Sequence, residues 1–336
     1  MKALVRTKFE TLDIVEVETP QLKEKDDIKI RMVYSSFCRD DMRFEDKSDI
    51  FAHTGIMGHE AVGIIEELGE YAQYSGFSVG DLVMVLPWSF CGHCHYCLAQ
   101  KPQHCNQSHI HQGTICQFIV RSCRQVIKVP NKLNYKHAIM MEPVGAIVEA
   151  LSTLNISYST RVAIIGGGFI GQSFVKFIKL RGAREITVIE PVAERREQAL
   201  KYGADFVIDP NSSDFHFDLS DCCDHEGYNV IIETSSDINM IETTLPYLSK
   251  GGAMKIFTYY GSKEKVTLPL LNLYASNITI SWTSLCGIES VLTAAHMIEK
   301  LSLDDLITAE FDFDDAITAF EAYKTLEHFK IGIKNF

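Results

Sequence analysis

Cys91, Cys94, Cys97 and Cys105 fall inside fifteen residues with the spacing C-x2-C-x2-C-x7-C. Four thiolates gathered by a short loop fit the tetrahedral shell of a closed structural zinc site. Cysteines this close are poorly placed to reach separate disulfide partners. Ferredoxin-type iron–sulfur runs also begin C-x2-C-x2-C, but their fourth cysteine comes three residues on and is followed by proline. Here the gap is seven residues and Asn106 follows Cys105, so the spacing favours zinc.

A second chemical signal lies at Val162-Ala-Ile-Ile-Gly166-Gly-Gly168-Phe169-Ile170-Gly171. This is G-x-G-x-x-G directly after an apolar run and at the start of a helical pattern. Gly166 permits the tight turn, Gly168 lets backbone approach a pyrophosphate, and Gly171 lets the helix pack on the strand. The helix N-terminus supplies N–H groups and a favourable dipole for phosphates. A second apolar run, Ile186 to Ile189, ends in Glu190, about twenty residues on, the interval at which a carboxylate reaches ribose hydroxyls. A carboxylate there repels a 2′-phosphate, so NAD is expected over NADP. Arg195 and Arg196, a turn further on, blur that preference.

The elements that must position these groups divide the chain. Ile28 to Tyr34 alternates with period two and predicts a half-buried strand; Ala61 to Leu68 and Asp81 to Leu86 predict others, with turns at Gly76 and Gly80. The character changes near Glu142. Val144 to Leu154 has helical periodicity, and from Arg161 apolar runs alternate with helices. Buried strands joined by helices describe a doubly wound parallel sheet. Its last strand region, Asn277 to Ser284, is expected at the sheet edge. Ser290 to Lys300 and Asp314 to Leu326 predict amphipathic helices, and Lys330 to Ile333 a short strand that returns to the first domain.

With 336 residues, two domains each have length enough to bury a core. A net charge of -12 gives no reason to expect nucleic acid or an anionic membrane as partner. No apolar run approaches bilayer length, and charges interrupt the N-terminus at once, so neither membrane span nor signal peptide is expected. Ten cysteines with metal-type spacing point to a reducing cytoplasm. Cys116, Cys123, Cys222, Cys223 and Cys286 are expected as buried small apolar residues.

Together these signals resemble the zinc-dependent medium-chain dehydrogenase/reductase superfamily, and most of all its sorbitol dehydrogenase-like polyol and sugar members. The cysteine run resembles that family's structural zinc lobe. Three further segments are similar to family motifs: Ser36-Phe-Cys38-Arg-Asp-Asp41 to C-x-[ST]-D, Gly58-His59-Glu60-Ala-Val-Gly63 to G-H-E-x-x-G, and Met141-Glu142-Pro143-Val144 to E-P-L. The resemblance implies a β-rich GroES-like catalytic domain (1–143 and 284–336) with a structural zinc lobe, and a Rossmann domain (144–283). It also implies a catalytic zinc held by Cys38, His59 and a carboxylate, either Glu60 or Glu142, with a fourth position open. The implied reaction is hydride transfer between a secondary alcohol and NAD, the metal lowering the hydroxyl pKa. The implied assembly is a homodimer or homotetramer in the cytoplasm, with a small alcohol or ketone as substrate.

Three departures qualify the resemblance. The family usually has Ser or Thr two residues after the first cysteine; this chain has Asp40, which could accept the proton, bind a cationic or hydroxyl-rich substrate, or join a surface ion-pair network. Many polyol members have His where this chain has Arg43, and Arg39 and Arg43 suit an anionic group. Glu233-Thr-Ser-Ser236 stands where the family commonly has glycine. A dehydrogenase of small aliphatic alcohols or amino-alcohols, and a non-catalytic NAD- and zinc-binding protein, are the alternatives. The retained ligands argue against the latter and against a zinc-free reductase.

Overall fold

A computed structural model describes residues 1–8, 11–42, 54–261 and 263–335. The chain divides into two units, Met1–Gly145 with Gly287–Phe336, and Ala146–Cys286.

The first unit is built on a seven-stranded sheet. Its order runs Val126–Lys128, Leu82–Val85, Glu60–Leu68, Asp27–Ser36, Lys330–Lys334, Ile307–Asp312, and Phe118–Ser122 also pairs with Asp27–Ser36. The expected alternation holds: Ile28, Ile30, Met32 and Tyr34 are all fully buried, while Lys29, Arg31 and Val33 between them are half-exposed. Ile28, Ile30 and Met32 pack with Ile65, Val83 and Val85 into one core. A second core joins Phe37, Met57, Phe313, Phe320, Ile331 and Ile333.

The register of three neighbouring strands matters most. Ser36 lies opposite Glu60 on one side and opposite Gly332 on the other. Cys38 follows the end of the first strand, His59 precedes the start of the second, and Lys330 opens the third. Three separate stretches of sequence therefore converge at one corner of the sheet. Lys330–Lys334 does return to this unit, as its sequence predicts. The helix expected over Asp314 to Leu326 occupies Ala316–Lys324, entered by a 3-10 turn at Phe313–Asp315.

The second unit holds a parallel six-stranded sheet in the order Phe206–Ile208, Glu185–Ile189, Arg161–Ile165, Tyr228–Glu233, Leu248–Ile256, Thr279–Trp282. Helices alternate with these strands, so the doubly wound architecture read from the sequence is observed. Arg161–Ile165 is buried at every position, as a central parallel strand must be. The edge strand covers Thr279–Trp282 only; Asn277 caps the preceding helix in the left-handed region (φ 52) and cannot extend it. Lys255, buried within the sheet, reaches Thr153 Oγ1 at 2.9 Å and the Trp282 carbonyl at 3.3 Å, so that edge strand is tied down.

Cys116, Cys223 and Cys286 are buried as expected, whereas Cys123 and Cys222 are half-buried, because they pack against the margins of the two cores rather than within them. No helix among the described residues is long and apolar enough to cross a membrane.

Candidate functional site

The cysteine lobe is compact. Cys91 and Cys105 sulfurs lie 3.6 Å apart, Cys91 and Cys97 3.9 Å, and Cys94 and Cys105 3.9 Å. A tetrahedron with zinc–sulfur bonds of about 2.3 Å has edges of about 3.8 Å, so the four sulfurs fit one zinc ion. All four are free thiols. Backbone N–H groups point at the sulfurs: Cys94 N at Cys91 Sγ (3.3 Å), and Cys91 N and Gln107 N at Cys105 Sγ (3.4 Å each). Such donors favour thiolate. Hydrogen bonding from the Cys97 amide brings Cys94 down to about 6, and the Cys91 amide lowers Cys105; burial pushes Cys97 up to about 12.

At the sheet corner, ligand atoms of Cys38, His59 and Glu60 lie within 4.8 Å of one another. A thiolate, an imidazole and a carboxylate at this spacing are a suitable donor set for zinc with one position left open. His59 Nδ1 faces Asp41 Oδ1 at 3.3 Å, which leaves Nε2 as the ligand nitrogen. Asp41 is fixed in turn: its Oδ2 accepts from the Cys38 N–H at 2.8 Å, and its carbonyl accepts from the buried Arg6 guanidinium. Burial acts to lower the His59 pKa, but the Asp41 and Cys38 charges outweigh it and hold the imidazole well above its ordinary value. Burial acts to raise Asp41, and His59, the Cys38 amide and Arg6 together bring it below the carboxylate range.

Glu60 Oε2 accepts from Lys330 Nζ at 2.5 Å and from the Ser36 hydroxyl. Its second oxygen remains for a metal. Glu142 does not belong to the close group of three. It is half-buried, at the start of the helix Met141–Ser152, and loss of hydration pushes it up to about 7. The His59 and Lys330 charges oppose that shift; Glu60 and Asp40 add to it. Burial pushes Cys38 up to about 11, with the Asp40 charge adding and His59 opposing. Asp40 is half-buried, and its charge is felt at both Cys38 and Glu142; Arg39 is exposed, and Arg43 lies outside the described residues.

Asp41, Arg6 and Lys330 did not stand out in the sequence as site residues. Asp41 carried a signal, as the closing acid of the C-x-[ST]-D-like segment. Lys330 carried none, because its partner lies 270 residues away.

In the second unit, Gly166 turns with φ +96, and a Cβ there would approach Thr234 Oγ1 to 2.9 Å. At Gly171 a Cβ would sit 1.9 Å from the Gly166 carbonyl oxygen, so helix and turn are in contact. At Gly168 a Cβ meets nothing within 4 Å; it would fill an open cradle at the N-cap of the helix Phe169–Leu180. Phe169 is buried and Ile170 half-buried in its first turn. Glu190 is buried. Its oxygens accept from Gly167 N (2.6 Å) and Val192 N (3.0 Å). Arg196 is committed elsewhere, to the Glu190 and Pro191 carbonyls (2.7 and 2.8 Å) and to Asp209 (3.2 Å). Arg195 is half-buried, and its carbonyl accepts from Gln172 at 2.8 Å.

The glycine-poor turn after the fourth strand is also explained. Glu233 Oε1 accepts from Ser235 N, Ser235 Oγ and Ser236 N at 2.6–3.0 Å, and holds Ser236 in the left-handed region at φ 69. That is a conformation glycine takes without strain. An open groove of about 900 Å³ in the first unit, between Val17 and Arg121, is lined by none of the candidate ligands.

An alcohol dehydrogenase GroES-like domain model matches residues 24–131, and a zinc-binding dehydrogenase model matches residues 170–300. The L-threonine 3-dehydrogenase of Pyrococcus abyssi is 28% identical over 334 residues, covering 96% of this chain and 94% of the relative. The D-xylulose reductase A of Aspergillus oryzae is 22% identical over 342 residues, covering 96% and 92%. A crystal structure of a candidate zinc-binding dehydrogenase from Clostridium scindens superposes with a TM-score of 0.91 at 25% identity, covering 99% of this chain and 98% of that one.

Proposed function

Because the chain belongs to the zinc-dependent medium-chain dehydrogenase superfamily and is an oxidoreductase of the alcohol dehydrogenase type, we propose that it moves a hydride between NAD and a secondary alcohol of the polyol, cyclitol or sugar class. The observation that carries this reading is the convergence of Cys38, His59 and Glu60 within 4.8 Å.

Zinc bound there would act as a Lewis acid that lowers the hydroxyl pKa, and the nicotinamide would accept the hydride. The chain's own residues do the rest. Asp41 orients His59 and fixes its tautomer. Lys330 and Ser36 hold Glu60, leaving one oxygen for the metal, while Glu142 stands nearby as a second carboxylate. As the carbinol carbon loses hydride and becomes a carbonyl, the hydroxyl proton leaves; we assign its first acceptor as Asp40, two residues from Cys38. Glu190, with one oxygen at the glycine turn and the other at the Val192 N–H, supports NAD over NADP, and Arg196 is too engaged to serve a 2′-phosphate.

A second substrate class, amino-alcohols, is favoured by the Asp40 charge felt at Cys38 and Glu142 and by the similarity to a threonine dehydrogenase. A panel of polyols, cyclitols, aminosugars, hydroxy-amino acids and sugar phosphates, read by NADH absorbance, separates the two. Turnover of none of them by the zinc-loaded protein would count for the non-catalytic alternative.

We further propose a homo-oligomer built through the sheet edge. The edge strand carries Trp282 at 58% exposure, and the helix before it exposes Leu270, Leu271 and Tyr274. An uncovered edge beside apolar side chains invites pairing with a second copy.

A further inference from the structure

Backbone conformation does not account for the glycine at 167. Its φ lies outside the left-handed region, so any residue can adopt it. Space accounts for it instead. A Cβ at 167 would lie 3.0 Å from Glu190 Cγ and 3.2 Å from Glu190 Oε2. The same residue donates its N–H to that oxygen at 2.6 Å, while Val192 N–H donates to Oε1 at 3.0 Å. Gln172, fully buried, donates to the carbonyls of Gly167 (3.0 Å) and Arg195 (2.8 Å). The glycine turn and the loop after the second strand are thereby braced into one unit.

An ionised carboxylate offers about four lone-pair positions. Among the described residues, the Gly167 N–H takes one on Oε2 and the Val192 N–H one on Oε1, and a further position on each oxygen matches the two hydroxyls of a ribose diol. We infer that Gly167 is a specificity-determining positioning residue: its N–H and its missing side chain fix Glu190 where it accepts the diol of NAD and repels the 2′-phosphate of NADP. This rests on the NAD reading above. The adjacent Gly168 has a different task. Its open cradle suits the pyrophosphate, which both dinucleotides carry. Two neighbouring glycines therefore separate affinity for any dinucleotide from the choice between two.

Calorimetric titration of the zinc-loaded protein with NAD and with NADP tests this. Wild type should bind NAD at least about tenfold more tightly. Gly167→Ala should weaken NAD about tenfold and leave NADP within about twofold, whereas Gly168→Ala should weaken both by the same factor. Thermal unfolding without cofactor should show Gly167→Ala folded at near the wild-type Tm. A wild type that prefers NAD, with the ratio unchanged in Gly167→Ala or both cofactors weakened alike, overturns the role of Gly167 alone. A wild type that binds NADP as well as NAD overturns the NAD reading and this inference with it.

Discussion

Lys330 Nζ lies 2.5 Å from Glu60 Oε2, with side chains 4% and 1% exposed. A lysine near the end of the sequence thus neutralises the carboxylate of the Gly-His-Glu segment. The sheet register makes the pair: Lys330–Lys334 lies against Asp27–Ser36, which lies against Glu60–Leu68. Ser36, on the strand between them, donates to the same oxygen. The pair holds the buried Glu60 carboxyl in place and takes one of its two oxygens out of competition for a metal.

Removing one partner of a buried pair strands the other charge. Lys330→Met should therefore cost about 3–5 kcal/mol in urea unfolding. Adding Glu60→Gln removes the stranded charge and should recover much of that loss. A single-variant cost under about 1 kcal/mol would mean that water compensates Glu60.

Zinc content separates the two metal sites. Wild type should bind two zinc ions per chain. Cys94→Ser should lose one and most of its stability, because a closed zinc site contributes folding energy directly. His59→Ala should lose the other and remain folded. Elemental analysis that finds iron with sulfide, or a single zinc in wild type under zinc-replete conditions, rejects this assignment.

What the sequence disclosed and what it hid have a common physical basis. Local patterns were legible: the alternation of Ile28 to Tyr34, the apolar parallel strands, the glycine turn and the cysteine spacing each depend on neighbours in the chain. Cys38 and His59 were legible only through short motifs. Lys330, Arg6 and the brace of Gln172 were not, since each acts across a strand pairing or a turn that only the fold creates. Ser236 lay between these cases. The departure from glycine was visible, but its left-handed φ and the carboxylate that enforces it were not.

Acid should weaken the first unit through Glu310. Burial pushes that carboxyl up, but hydrogen bonds from Lys136 (2.6 Å) and Tyr34 (2.9 Å) outweigh it and hold the pKa below its ordinary 4.5. A lowered folded pKa stabilises the fold fully above pH 4.5, and that contribution is lost as pH falls through the folded value. Glu310→Gln should start less stable at neutral pH and lose less on acidification. Parallel Tm-versus-pH curves for the two proteins would remove Glu310 from the acid response.

The sheet edge gives an assembly prediction. Sedimentation at micromolar concentration should show a dimer or a larger even assembly, and Ile280→Lys on the edge strand should shift it toward monomer. A wild type that stays monomeric across that range would leave Trp282 and the Leu270–Ser276 helix as plain surface.

Asp40 decides how the proton leaves. If it accepts the proton from the substrate hydroxyl, Asp40→Asn should cut kcat by about 10²–10⁴-fold and alter the pH profile, with zinc content and NAD binding near wild type. If it grips the substrate instead, the loss should appear in KM with kcat largely kept. The two outcomes also sort the substrate classes: a KM effect confined to amino-alcohols would make Asp40 the partner of an ammonium group. Its charge already reaches Cys38 and Glu142, so some kinetic consequence is expected. Changes of less than about twofold in both constants would remove Asp40 from the chemistry. Glu142, whose pKa burial brings to about 7, would then be the next side chain to test as acceptor.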